Sequence, residues 1–468
     1  MKDPARKVME MINDSVLARL KKIVGAGHVL TSKLSLESYS YDSSLYTYRP
    51  DVVVFPENAE QVAKILRLAC RERIPVVPRG AGTNLSGGTI PIHGGIVMVL
   101  ARMNRILEID PEDQVALVEP GVTNLELQKA VDPFGFMYAP DPASQKVATM
   151  GGNVAEGAGG IRGVKYGVTR DHVLGLEVIL PTGEMVRTGG LLASGAPEID
   201  LTGLFVGSEG TLGVVTKILV RLLRKPELIK TMVAVYDRLE DAGATVSQIV
   251  AQGIIPTTME IIDRPIIKAV EDYIHIGLPR DAEALLLIEV DGFAAGLDRQ
   301  VETILELYKA NHARDIRAAK DSRERDALWL GRRSATGALA RLKPSLVVQD
   351  ATVPRSKLPE MLRRVTQIAE ENDLLIGMIA HAGDGNLHPQ ILFDAQVPGE
   401  SERVEKASAA ICREALELGG TLTGEHGIGI EKLPYLSWAF GPEELALMRQ
   451  IKATFDPEVI LNAGKAIA

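Results

Sequence analysis

"PRGAGTNLSGG", Pro78 to Gly88, packs four glycines and three hydroxyl or amide side chains into eleven residues directly after a β-branched run. Glycine lets successive backbone N–H groups converge on an anion, and small side chains let a flat ligand lie close. A turn between strands needs only one or two glycines, so this density reads as a ligand loop. The order of residues is neither G-x-G-x-x-G nor a loop closed by G-K-[ST], so neither a Rossmann dinucleotide site nor a P-loop is supported.

The flanks extend the reading. "DVVVF" (51–55), the Asn-capped helical pattern "NAEQVAKILRLACRERI" (58–74) and "PVVP" (75–78) form a strand, a helix and a strand that lead into the loop. From about 96 to 222 come β-rich runs: "GIVMVL", "ILEIDPEDQVALVEPG", "HVLGLEVILPTGEMVR" and "GVVTKILVRLL". Three more glycine-dense loops lie among them, "PDPASQKVATMGGNVAEGAGG" (140–160), "RGVKYG" (162–167) and "GSEGTLGVVT" (207–216). One long ligand threaded between loops explains several separated clusters.

A chain of 468 residues holds two or more domains. With 46% apolar and 24% charged residues it is an ordinary globular composition. Aromatics at 4% speak against stacking platforms for single strands, and a net charge of −9 against nucleic acid or acidic membrane as the main partner. Cys70 and Cys412 are too far apart for a disulfide framework or a metal-cluster spacing, so the cytoplasm is the expected compartment. The N-terminus reads as an amphipathic helix carrying Val16, Leu17, Leu20, Ile23 and Val24, and no stretch approaches the roughly 20 apolar residues of a membrane span. A composition shift after Pro226 divides the chain into an N-terminal helical segment (1–45), a first domain (46–225) and a second (226–468). Residues 230–395 alternate strands with helices at 239–251, 296–311, 323–341 and 356–371, the pattern of an α+β sheet with helices on one face; helices near 402–418 and 443–454 close the chain.

The second domain carries "HAGDGNLHP", His381 to Pro389. Asp384-Gly385 between two β-like runs signals a two-residue hairpin turn. Counting outward, Gly383 faces Asn386, Ala382 faces Leu387 and His381 faces His388. Opposed residues have Cβ atoms about 4.5–5.5 Å apart on one sheet face, so the two imidazoles start a metal clip; an ordinary cross-strand pair with polar partners stands equally at this point. "TGEHGIG" then offers Glu425 to complete a His-His-Glu set, with His426 left free as a base. Pro389, lacking an N–H, suggests a strand edge. In "WLGRRSATGALARLKP" Arg332 sits on an amphipathic helix; by its residues alone a solvated arginine is the plainer reading, although an arginine fork can hold a carboxylate.

With these motifs in hand the chain, from about Tyr46 to its C-terminus, resembles the FAD-binding proteins of vanillyl-alcohol oxidase type, in the branch of glycolate oxidase flavoprotein subunits, FAD-linked D-lactate dehydrogenases and D-2-hydroxyglutarate dehydrogenase. The resemblance implies an α+β protein: a two-subdomain FAD-binding domain followed by an α+β substrate or cap domain on an antiparallel sheet. It implies that Pro78, Arg79, Gly80, Ala81, Gly82, Thr83, Asn84, Ser86 and Gly87 cradle the FAD pyrophosphate. Pro140, Asp141, Ser144, Gly151, Gly152, Asn153 and Ala155 would line the flavin and ribityl chain, and Glu209, Gly210, Val214 and Asn462 the remainder of the cofactor. No histidine stands in the first glycine loop to attach the flavin, so FAD is expected to be non-covalent. "HxGDGNxH" and "GEHG" match the family's metal site and base, implying one divalent ion (zinc, iron or manganese) on His381, His388 and Glu425, with His426 as catalytic base. Arg332 is implied as the carboxylate clamp, with Thr336 and His426 beside it at the substrate. Val348 stands where the hydroxyglutarate enzyme carries a lysine for its second carboxylate, and Lys343 does not align with it.

The implied reaction is oxidation of a small D-2-hydroxy acid, lactate or glycolate, to the 2-oxo acid. The chain has no cluster or haem motif to relay electrons, so the resemblance implies a partner protein, either an electron-transfer flavoprotein or an iron–sulfur subunit. The alternatives are a non-catalytic FAD-binding electron-transfer subunit, which would have shed the hairpin ligands, and an oxidase that uses O₂ directly.

Overall fold

Strand Val52–Val54 leads through helix Ala59–Glu72 to strand Val76–Arg79, and both strands lie parallel to Ile96–Val99 between them in a four-stranded sheet whose far edge is Val29–Leu30. The structure is a computed structural model that describes residues 12–190 and 199–467. The helix forms where expected because Asn58 caps it, its side-chain oxygen accepting from the N–H of Gln61 at 3.0 Å. Val62, Ile65, Leu66 and Ala69 are buried at helical spacing against the sheet. Helix Asp14–Val24 adds Val16, Leu20 and Val24 to the same core; the first eleven residues of that N-terminal segment lie outside the described residues.

A second, five-stranded antiparallel sheet runs Ile106–Asp110, Val115–Val118, Val214–Arg221, Val173–Ile179, Met185–Gly189. Loop Gly80–Gly88 leaves the first sheet and helix Met150–Glu156 packs against it, so the glycine-rich segments line a cleft.

After Leu228 every strand joins one eight-stranded sheet, antiparallel throughout. Its order is Asp315–Ala318, Leu228–Tyr236, Ala284–Gly292, Thr258–Asp263, Leu375–His381, Asn386–Phe393, Ser345–Val348, with Ala351–Thr352 also pairing to Asn386–Phe393. The α+β architecture with an antiparallel second sheet is as expected, but the helices cover both faces. Helices Leu239–Ala251, Ala294–Ala310, Leu358–Glu371 and Glu400–Glu417 bury Met232, Ile261, Leu286 and Ile391, while Arg264–Ile274 and Ser322–Leu339 bury Val233, Ile262, Leu285 and Ile379. The strands alternate apolar residues on both sides, so each face needs cover.

The hairpin register also differs from expectation. His381 pairs with Asn386 and Ile379 with His388, because the turn spans Ala382–Gly385. A two-residue type I′ turn needs positive φ at both central residues; here only Gly385 has it, at 74°. The N–H of Ala382 instead bonds the neighbouring Met259 carbonyl at 2.8 Å, and the N–H of Val353 reaches Gly385 O at 2.9 Å. Pro389 is likewise not at an edge. It lies inside the sheet, opposite Gln349 at the break between two strands: the Gln349 N–H donates to the Pro389 carbonyl at 2.8 Å, and the return bond is the one that proline cannot make.

The chain's end returns to the first domain. Helix Pro442–Phe455 packs Ile451 and Phe455 on the five-stranded sheet, and Leu461 bridges to Val76. Lys452 fastens this return: its buried ammonium donates to Asp456 Oδ2, to Thr211 O at 2.6 Å and to Leu461 O at 2.8 Å. Lys452→Met would leave the fully buried Asp456 without its cation. We expect it to destabilise the protein by about 3–5 kcal/mol, read as a lower denaturant midpoint for the first domain.

Candidate active site

The glycine loops of the first domain border one continuous groove that reaches the loop of Glu425 and His426. One part is lined by Gly80, Ala81, Gly82, Thr83, Asn84, Ser144, Gly152 and Asn153, and ends at Glu425 and His426. The other runs past Pro78, Arg79, Gly151, Ala155, Glu209, Gly210, Val214 and Asn462. Gly80, Thr89, Thr149, Gly152 and Glu156 border both parts. Four of the expected cofactor residues line neither. Ser86 is buried beneath the groove and its carbonyl accepts from Ile430 N–H; Gly87 lies under the Ile430 side chain; the Pro140 carbonyl accepts from Asn124; Asp141 is half of an ion pair with Arg162 at 3.3 Å.

The groove fits a polar, flat cofactor. Asn84 Nδ2, Asn153 Nδ2 and Glu156 Oε2 are buried without partners on its walls. A Cβ on Gly80 would come within 2.2 Å of Thr149 Oγ1, so the narrow floor requires glycine. Burial, with the Glu209 carboxylate beside it, pushes the Glu156 carboxyl well above the usual carboxylate range.

At the groove's end the hairpin supplies its histidines. Both lie on the face that helix Ser322–Leu339 covers, with ring centroids 4.9 Å apart. His381 Nε2 lies 3.5 Å and His388 Nε2 3.2 Å from Glu425 Oε1. Each ring is fixed from behind. His381 Nδ1 is 2.6 Å from Glu260 Oε1, and His388 Nδ1 is 3.4 Å from the Gln349 carbonyl, which Pro389 cannot engage. Imidazoles pinned through one nitrogen while the other faces a carboxylate form the usual donor set of a divalent cation, so the residues fit that ion. A second grouping, Asp350, His388 and His426, is also close enough for a metal; Asp350 Oδ2 is taken by the loop amides, while Oδ1 is buried without a hydrogen-bond partner 3.8 Å from His388 Nδ1.

His426 stacks on His388 at 4.8 Å, and burial lowers its pKa to about 4, so the ring is neutral at pH 7. Burial alone would lower His381 too, but the Glu260 and Glu425 carboxylates outweigh it and hold it well above the usual value. Those same imidazoles overcome burial to keep Glu425 ionised.

Arg332 does not reach the groove. Its Nε bonds Glu260 Oε2 at 2.6 Å, in a cavity with Leu278, Leu285 and Leu328, so it touches His381 only through Glu260. Thr336 accepts from Gln390 Nε2 at 3.1 Å. Two residues central to the site escaped the sequence reading. Glu260 orients both Arg332 and His381. Asp350 Oδ2 accepts the N–H groups of Gly424, Glu425 and His426 at 2.8, 3.1 and 2.9 Å, with Lys432 beside it. Asp350 follows a strand and adjoins no glycine motif; only a charged residue between apolar runs marked it.

Residues 225–466 match the family described as FAD linked oxidases, C-terminal domain, and residues 50–189 match the FAD binding domain. The chain belongs to the FAD-linked oxidases. It is 48% identical to the glycolate oxidase subunit GlcD of Bacillus subtilis strain 168, covering 98% of each chain, and 43% identical to that of Escherichia coli K12, covering 97% of this chain and 91% of that one. It is 34% identical to the D-lactate dehydrogenase of Anaerostipes hadrus, covering 95% of each. In fold it resembles p-cresol methylhydroxylase, with a TM-score of 0.80 at 18% identity over 97% of this chain and 96% of that one. The FAD-binding fold is thus of vanillyl-alcohol oxidase type, and the protein is an FAD-linked oxidoreductase.

Gly80→Val would fill the floor between the first glycine loop and Thr149. FAD should bind at least about tenfold more weakly, roughly 1.4 kcal/mol, seen as a lower flavin-to-protein ratio after purification.

Proposed function

We propose that this enzyme oxidises a small D-2-hydroxy acid, lactate or glycolate, to the 2-oxo acid. The supporting observation is that Glu425 and His426 line the same groove as the Gly80–Asn84 loop, with His381 and His388 converging on Glu425 from behind. When bound, FAD supplies hydride acceptance, and a divalent ion (zinc, iron or manganese) on His381, His388 and Glu425 supplies polarisation of the substrate hydroxyl. His426, neutral and with Nε2 3.9 Å from Glu425 Oε1, accepts the hydroxyl proton as the Cα hydride leaves. Asp350 holds the backbone of that loop, so the base approaches from one direction. Glu260, 2.6 Å from Nδ1, orients His381 with Nε2 toward Glu425, and an ion bound there would take the place of the Nε2 proton. Arg332 orients Glu260 through Nε, and Thr336 stands one turn further along the same helix.

A monocarboxylate suits the site. Val348 offers no cation, and Lys343 is engaged by Glu400 at 3.0 Å. Electrons leave to a partner protein, an electron-transfer flavoprotein or an iron–sulfur subunit; the relatives named as subunits of glycolate oxidase support assembly in a complex. Cys70 and Cys412, both free, suit the cytoplasm. None of the described helices is long and apolar enough to cross a membrane.

Three outcomes are expected. Acid precipitation should release the flavin into the supernatant, since no histidine stands in the first glycine loop; flavin in the pellet refutes non-covalent binding. His381→Ala with His388→Ala should remove the metal, measured by elemental analysis, and abolish oxidation of D-lactate and glycolate with an artificial acceptor while leaving the flavin absorbance. His426→Ala should keep the metal and lose about a hundredfold or more in kcat. Wild-type reoxidation by O₂ as fast as turnover would favour the oxidase reading over a partner protein.

A further inference from the structure

Loop Thr423–Ile430 brings Glu425 and His426 to the end of the groove, yet it has no regular secondary structure to hold it. Its amides are instead bound one after another by other segments. Those of Gly424, Glu425 and His426 go to Asp350, and that of Gly427 goes to Thr423 Oγ1 at 3.0 Å. The next two, Ile428 and Gly429, go to the two carboxylate oxygens of Glu209 at 2.7 and 2.8 Å. Glu209 belongs to the first domain. Its backbone forms part of the groove wall: its N–H bonds the Ala155 carbonyl at 2.7 Å and its carbonyl accepts from Asn462 Nδ2 at 2.6 Å. Its φ is 51°, in the left-handed region that residues other than glycine seldom enter, and its carboxylate oxygens take the two loop amides. A Cβ on Gly427 would come within 2.8 Å of Glu209 Oε1, so the loop is shaped to receive that carboxylate. The side of Glu209 that meets the loop and the side that lines the groove are a single residue.

We propose that Glu209 is a positioning residue that couples the cofactor groove to the catalytic loop: FAD fixes the backbone at Glu209, and the Glu209 carboxylate thereby sets the placement of Glu425 and His426. The proposal rests on the reading of the groove as the FAD site. A carboxylate with one N–H on each oxygen is a two-point grip, and its direction follows the backbone that carries it. Coupling of this kind is reciprocal, so ordering the loop also tightens FAD.

Amide hydrogen exchange on the full-length protein tests this without relying on turnover. In the wild type, stripping FAD should speed exchange at Ile428 and Gly429 by roughly tenfold to a hundredfold, the size of a charge-assisted hydrogen bond. Glu209→Gln, saturated with FAD, should speed the same two amides while Gly424, Glu425 and His426, held by Asp350, change less. Glu209→Asp, which keeps the charge on a shorter arm, should restore part of the protection. In turnover the Gln variant should lose more in kcat than in KM, since a displaced base is felt in the chemical step. Unchanged exchange at Ile428 and Gly429 in either comparison overturns the proposal. If the Gln variant fails to fold, the wild-type pair with and without FAD decides alone. A wild type that binds no flavin at all defeats the reading of the groove; flavin bound above an unaltered loop defeats this proposal only.

Discussion

Six consecutive backbone N–H groups, Gly424 to Gly429, are all received by side-chain oxygens, three by Asp350, one by Thr423 and two by Glu209. A loop of this kind has no helix or ladder to satisfy its donors, and burying them unpaired would cost a few kcal/mol. Two buried carboxylates from different domains meet that need. Asp350 is held well below the usual carboxylate range against its burial, chiefly by the Lys432 ammonium and with the Thr423 hydroxyl donating to it, so its charge serves the loop. The site is therefore built at a junction: one carboxylate comes from the second sheet, the other from the wall of the groove. If the domains shift apart, the loop loses the two anchors of Glu209 and keeps the three of Asp350.

The hairpin contributes by parity. The turn has four residues instead of two, which slides the pairing so that His381 meets Asn386. Because side chains alternate with a period of two, that slide leaves both histidines on the same face, now as diagonal neighbours. A slip of one residue would have sent one imidazole into the opposite core among Ile261 and Ile391. Pro389 adds a second constraint. Its missing N–H leaves the Gln349 carbonyl without its ladder partner, and that carbonyl faces His388 Nδ1. The proline thus sits in the sheet interior for a reason that an edge-strand rule does not capture.

The strand–helix–strand entry at 52–79, the glycine loops and the pair of histidines were legible because each depends on local chemistry: caps, β-branched runs, turns and glycine density. The return of the chain end to the first sheet was not, since Lys452, Leu461 and Asn462 act over more than 200 residues of separation. Glu260 and Asp350 were missed for a related reason. A charged residue in a strand looks like a solvated position until its partner from another strand is known, and Glu260 meets His381 only through sheet pairing. Arg332 shows the reverse case: its type suggested a carboxylate clamp, and the carboxylate it holds in the structure is the protein's own.

That pairing bears on how the groove's end is held. Glu260 is fully buried, and burial would raise its pKa; Arg332 and His381 together hold it ionised. Without the arginine Glu260 would be left with His381 alone, and breaking a buried pair costs about 3–5 kcal/mol. Glu260 in turn fixes the ring whose Nε2 lies 3.5 Å from Glu425 Oε1, so the Arg332–Glu260 pair acts on the groove's end through His381 and not by touching it.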